Sequence, residues 1–145
     1  MNLAMLPIRV AAGAFILNSG IGKLELPEEG AAQLQKMGAS GVPQLEKLTP
    51  KQFGTFISAT EIGVGGALLT PFVPGWLAGG ALLAFSGGLL NMYLKTPGMT
   101  QEDGIRPSQE GTAVAKDVFL AGIGATLILN SLGLGKKKVK KVKAK

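Results

Sequence analysis

The stretch that decides the fold is Thr49–Pro71, TPKQFGTFISATEIGVGGALLTP. It opens with a helix-start signature. Thr49 suits the N-cap, Pro50 suits the first helical position, and Gln52 completes a capping box. From there the chain stays mostly apolar until Thr70-Pro71. About twenty such residues make one membrane-crossing helix. Glu61 lies close to the middle. A charge at that depth costs roughly 2.5–3.5 kcal/mol on insertion scales, so it is paired or functional.

Three further apolar segments surround this one. The first runs from Leu3 to Leu24, LAMLPIRVAAGAFILNSGIGKL. It lacks a positive n-region and a small-residue cleavage site, so it reads as a retained helix rather than a signal peptide. Arg9 falls two turns inside it, and Asn18 and Lys23 fall toward its other end. The third covers about 75–94, GWLAGGALLAFSGGLLNMYL, and contains no charge. Gly80, Ala84 and Gly88 recur every four residues, a flat stripe of the kind that lets another helix approach and pack. Trp76 and Tyr93 stand near opposite ends, where an aromatic belt would put them. The fourth covers about 112–134 and opens with Lys116-Asp117.

The connections differ in character. Residues 25–48 interleave charges, Gly and Pro with sparse apolar positions, which predicts short amphipathic pieces at the membrane surface, broken at Gly38–Pro43. The turn Pro71–Gly75 is uncharged and very short, so the segments it joins form a hairpin. Residues 95–111 are polar and turn-rich. The reading is an all-α integral membrane protein: a four-transmembrane-helix bundle over residues 1–134, with a short amphipathic surface segment between spans 1 and 2. A three-span arrangement, with one helix interfacial, is the alternative.

Composition agrees with this class. The 145 residues are 46% hydrophobic and only 17% charged, with 22 glycines. Neither cysteine nor histidine occurs, which removes disulfides, thiol chemistry and the usual zinc and haem ligands. No metal site, nucleotide-binding loop or nucleophile–base pair is evident. No cofactor is evident either, although a quinone would suit an intramembrane polar pocket. The net charge of +6 is local: seven lysines lie in the last ten residues. The remainder carries eight basic and nine acidic residues. Residues 135–145 are expected to be a disordered basic tail. Positive residues mark the cytoplasmic side, which places the C-terminus there and, with four spans, the N-terminus too. The tail suits anionic lipids, and without arginine or aromatics it offers no sequence-specific nucleic-acid readout.

Two polar constellations stand out. Arg9, entering about 9 Å from one side at 1.5 Å per residue, is the expected partner of Glu61, with Asn18 nearby, in an intramembrane polar site. The plain role of such a pair is to fix helix register, and the functional role is to bind a headgroup or quinone, or to handle a proton. Lys23, Asn91, Lys116 and Asp117 would line an outer mouth, or would simply be interfacial residues whose stems snorkel.

These motifs resemble the DoxX-like membrane proteins. The resemblance rests on Arg9-Val-Ala-Ala-Gly-Ala-Phe15 and Gly20-Ile-Gly-Lys23-Leu24, on Thr60-Glu61-Ile-Gly63-Val-Gly65-Gly66, and on Lys116-Asp117. It covers roughly residues 5–134. It implies a four-helix bacterial inner-membrane protein, similar in some members to subunits of thiosulfate–quinone oxidoreductases and in others linked to oxidative-stress complexes. The segment 25–48 and the lysine tail depart from the compact pattern of many members.

Three functions follow as expectations. The first is a non-catalytic membrane subunit or scaffold of a quinone-linked or oxidative-stress complex, contacting membrane partners or a second copy of itself. The second is a carrier or binder of a lipid or small apolar molecule. The third is a direct quinone or sulfur oxidoreductase.

Overall fold

The computed structural model describes residues 2–134, so the expected disordered tail lies outside the described residues. A short 3-10 turn, Leu3–Met5, leads into α1 (Leu6–Gly22). Then follow α2 (Glu28–Gly41), a second 3-10 turn (Pro43–Lys47), α3 (Pro50–Leu69), α4 (Gly75–Lys95), α5 (Thr112–Ala115) and α6 (Asp117–Ser131). Among the described residues, β-structure amounts to one isolated bridge between Thr100 and Pro107. The protein is all-α, and three helical stretches are long and apolar enough to cross a membrane: Leu3–Gly22, Gly75–Lys95 and Thr112–Ser131. α3, which forms from the Thr49–Pro71 stretch, is equally long at 20 residues but is not among them. Lys51, Gln52 and Glu61 dilute its apolar run.

The helix-start signature at Thr49 is present in full. The Gln52 N–H donates to Thr49 Oγ1 at 3.2 Å, and the Thr49 N–H donates to Gln52 Oε1 at 3.0 Å. Pro50 occupies the first turn, where its missing N–H leaves no intrahelical bond unmade.

Two antiparallel helix pairs make the bundle, each closed by glycine. In the α1–α3 pair, Gly65 faces the Leu17 backbone so closely that an added Cβ would lie 2.6 Å from its nitrogen. In the α4–α6 pair, Gly79 and Gly124 face each other's backbone, and a Cβ on either would lie under 3 Å from the other's carbonyl oxygen. Small residues permit this approach, and helices in an apolar solvent depend on such packing because burying apolar surface gains little there. A small core of Ala12, Ile16, Val64, Leu68, Ala78, Leu82 and Leu127 joins the two pairs.

The segment after α1 forms two helical pieces, as expected: a helix of 14 residues, Glu28–Gly41, and the 3-10 turn Pro43–Lys47, with the break at Val42-Pro43 inside the expected interval Gly38–Pro43. This α2 buries Ala31, Gln35, Ala39 and Gly41 against the N-terminal half of α3 and the C-terminal half of α4. Gln35 Nε2 donates to the carbonyls of Leu45 and Leu48, which holds the chain leaving α2. Gly41 reaches the Met92 backbone, and Asn91 Nδ2 donates to the Gly41 carbonyl at 3.0 Å. α2 is thus a wedge at one end of the bundle.

The small-residue stripe is also placed differently. Added Cβ atoms on Gly80 and Gly88 would meet nothing, and Ala84 is exposed. The residue one position before the stripe, Gly79, makes the close approach instead. Tyr93 is not a belt residue: it is buried, and its hydroxyl donates to the Ile105 carbonyl at 2.8 Å. It thereby anchors the loop between α4 and α5, whose tip is closed by an ion pair of Asp103 with Arg106.

Candidate functional site

Arg9 and Glu61 do not meet. The register of α1 against α3 sets Gly20 beside Glu61, where a Cβ on Gly20 would lie 2.9 Å from the Glu61 Cβ. Arg9 is eleven residues from Gly20, about 16 Å along the helix axis. The two charges belong to opposite ends of the bundle and are satisfied separately.

Arg9 closes the C-terminal end of α3. Its Nε donates to the Leu68 carbonyl at 2.9 Å, Nη1 to Val73 at 3.0 Å, and Nη2 to Ala67 and Thr70 at 3.0 and 2.9 Å. The last carbonyls of any helix have no intrahelical partner and carry the negative end of its dipole. A guanidinium presents five N–H donors in a rigid fork and answers several carbonyls at once. The residue is only 3% exposed, so these bonds replace its hydration.

Glu61 pairs with Lys23. Lys23 Nζ stands 3.1 Å from Glu61 Oε1 and 2.9 Å from Oε2, and it also donates to Ser19 Oγ at 2.6 Å. Lys23 lies just past the end of α1, and its stem carries the ammonium back along the helix. Ser19 lies one turn earlier on the same face of α1. The Glu61 side chain is 8% exposed and that of Lys23 is 22% exposed, so the pair is shielded on the acid side and open on the basic side. Three residues before Glu61, Ser58 is fully buried and its Oγ donates to the Gly20 carbonyl at 2.7 Å. Asp117, from the start of α6, stands within Coulombic range of both Glu61 and Lys23. One ammonium and two carboxylates therefore share this end of the bundle. They come from the end of α1, the middle of α3 and the start of α6, which belong to different helix pairs.

The two expected groupings are thus redistributed. Lys23 and Asp117 join Glu61, and Arg9 leaves it. Asn18 is exposed on the outer face of α1, and Lys116 is exposed. Asn91 serves α2 through Gly41. Ser19, Ser58 and Gln35 carry polar bonds that sequence reading missed. For the two serines the signal was spacing, since Ser19 precedes Lys23 by four and Ser58 precedes Glu61 by three; Gln35 carried no such signal. Among the described residues, no three His, Cys, Asp or Glu side chains are grouped to hold a metal ion.

Two cavities lie at the ends. One of about 260 Å³ adjoins the ion pair, with Lys23, Glu28, Lys51 and Thr55 in its wall. The other, of about 420 Å³, lies beside Arg9. In the polar loop, Asp103 is held below its ordinary carboxyl pKa of 3.8, first by the Arg106 side chain and then by the N–H groups of Ile105 and Arg106. Its contribution to the loop tip is present above that ordinary value and is lost as pH falls through the lower folded one.

No family model matches the chain, and neither the curated proteins nor the solved structures give a match. Fold and site define an all-α protein with three helices long and apolar enough to cross a membrane, and with buried charges bound between helices.

Proposed function

We propose that the protein is a non-catalytic multi-pass membrane subunit, with α3 as a fourth span beside the three more apolar helices. The observation that carries this reading is how its buried charges are used. Arg9 binds carbonyls of α3 and the following turn, and Lys23 neutralises Glu61 across α1 and α3. In an apolar medium such pairs hold register only when further hydrogen bonds complete them, as Ser19 and the backbone do here. The outward faces are apolar. In the most apolar windows of the three candidate spans, only 28%, 28% and 17% of residues are buried within the chain. Those faces suit lipid and neighbouring helices, and the unpacked Gly80–Ala84–Gly88 stripe suits a helix of a partner subunit. The resemblance to DoxX-like proteins points to a bacterial inner membrane and a quinone-linked or oxidative-stress complex. The lysine-rich end points to cytoplasmic termini.

The test is affinity purification from native membrane with mass spectrometry, comparing the natural chain with Gly88→Leu. The variant protrudes where nothing packs within the chain, so it should fold normally and lose specific partners. An identical partner list in both, at equal expression, contradicts the assignment of that face.

A second reading has one specific observation behind it. Lys23 is both the partner of Glu61 and a wall of the 260 Å³ cavity, so a small anionic or polar molecule bound there would compete with Glu61 for the ammonium.

A further inference from the structure

The end of the bundle opposite the Lys23–Glu61 pair holds a cavity of about 420 Å³, a size that takes small ligands. Its wall includes Arg9, Asn130, Ser131, Trp76, Gly75 and Asn2, and no acidic side chain lines it. Arg9 is 97% buried by its 3% exposure, and among the described residues no carboxylate pairs with it. Its four bonds to carbonyls use four of five N–H donors, leaving one on Nη1.

Other donors on the wall are also unspent among the described residues. Asn130 accepts from Asn2 through Oδ1 at 3.1 Å, which leaves its own NH2 group free. The Ser131 hydroxyl and the Trp76 indole N–H have no protein acceptor. The long helix α4 starts here, after Pro74, without a side-chain cap, so the N–H groups of Gly75 and Trp76 are open as well. A buried cation, polar side chains and a helix N-terminus thus line one cavity with no acid among them, a lining that suits an anion.

We propose that this cavity binds the phosphate group of an anionic phospholipid, with Arg9 and the start of α4 facing the phosphate. The rim supports a lipid source. Phe72 is 92% exposed and Trp76 56% exposed, which gives acyl chains an apolar edge. α6 ends at this same cavity, and seven lysines follow in the sequence. A bound lipid would seal the turn that Arg9 organises and anchor this end of the bundle in its leaflet.

Trp76 is the only tryptophan, so its fluorescence reports from the cavity wall. The full chain in neutral detergent is titrated separately with short-chain phosphatidylglycerol and with inorganic phosphate. A saturable change in Trp76 emission is expected with the lipid. Saturation by inorganic phosphate in the same range identifies free phosphate as a source of the anion, whereas response to the lipid alone identifies the headgroup.

Asn130→Asp keeps the acceptor for Asn2 but replaces the free donor with a negative charge, so the midpoint should rise by about tenfold or more. Ser131→Asp is the second variant, should the first lose its helical circular dichroism. A full-length chain with its seven C-terminal lysines changed to Gln should retain the response. No saturable change with either titrant, an unchanged midpoint in the folded aspartate variants, or loss of the response with the tail lysines would overturn the proposal.

Discussion

At the scale of the residue, Lys23 and Glu61 form an unequal pair, because Asp117 lies within Coulombic range of both without an ion-pair contact to Lys23. Glu61→Gln removes one of two carboxylates, and the ammonium keeps Ser19 as a hydrogen-bond partner and Asp117 within Coulombic range. Lys23→Met instead leaves the buried Glu61 without its cation and a half-buried Asp117 nearby. The expected loss for Glu61→Gln is below about 1.5 kcal/mol, and for Lys23→Met about 3–5 kcal/mol. Thermal unfolding in detergent checks the order, and equal losses would remove Asp117 from the cluster. Arg9 gives a second asymmetry. It makes four bonds to carbonyls, while an ammonium has three donors and no planar fork. Arg9→Lys should therefore cost about 1–3 kcal/mol by orphaning at least one carbonyl, despite keeping the charge. The same melts measure it. The sequence marked these as the costly charges, since an ionised side chain in an apolar run is conspicuous. It did not pair them correctly. Pairing depends on the sliding register of α1 against α3, which is set by where Gly65 and Gly20 let backbones touch, and no periodicity within one helix encodes that.

At the scale of the element, helix extents were legible because apolar runs, capping residues and prolines act locally. The expected boundaries at 50–70 and 75–94 lie within one residue of α3 and α4. The face of each helix was harder to read. Between Ala78 and Gly88, α4 carries Ala78, Gly79, Ala81 and Gly87 besides the three residues of the expected stripe, and small residues look alike in sequence whichever way they point. Only the approach of α6 distinguishes Gly79, which meets Gly124, from Gly80 and Gly88, which meet nothing. The consequence is directly measurable. Gly79→Leu must force α4 and α6 apart and should destabilise the bundle by about 1–3 kcal/mol or more. Gly88→Leu should leave its melting temperature nearly unchanged. The packing of α2 was hidden for a related reason: the positions it buries are Ala31, Gln35, Ala39 and Gly41, small or polar residues that no apolar pattern marks.

At the scale of the whole molecule, the two ends of the bundle do different work. One end gathers Lys23, Glu61 and Asp117 under the α2 wedge. The other gathers Arg9, the tight α3–α4 turn and the end of α6. This division makes sense if α3 crosses the bilayer beside α1, because Arg9 then binds the turn at one face and Lys23 meets Glu61 from the other. Yet α3 falls short of the three helices whose length and composition alone qualify them. Whether α3 crosses therefore decides the topology. The chain has no cysteine, so single cysteines report sidedness without background. Gln33→Cys sits on the exposed side of α2, and Phe72→Cys sits in the α3–α4 turn at a residue 92% exposed. Labelling oriented membrane vesicles with an impermeant maleimide should modify these two positions from opposite sides. Labelling of both from the same side would contradict the four-span account and leave α3 lying along the membrane surface.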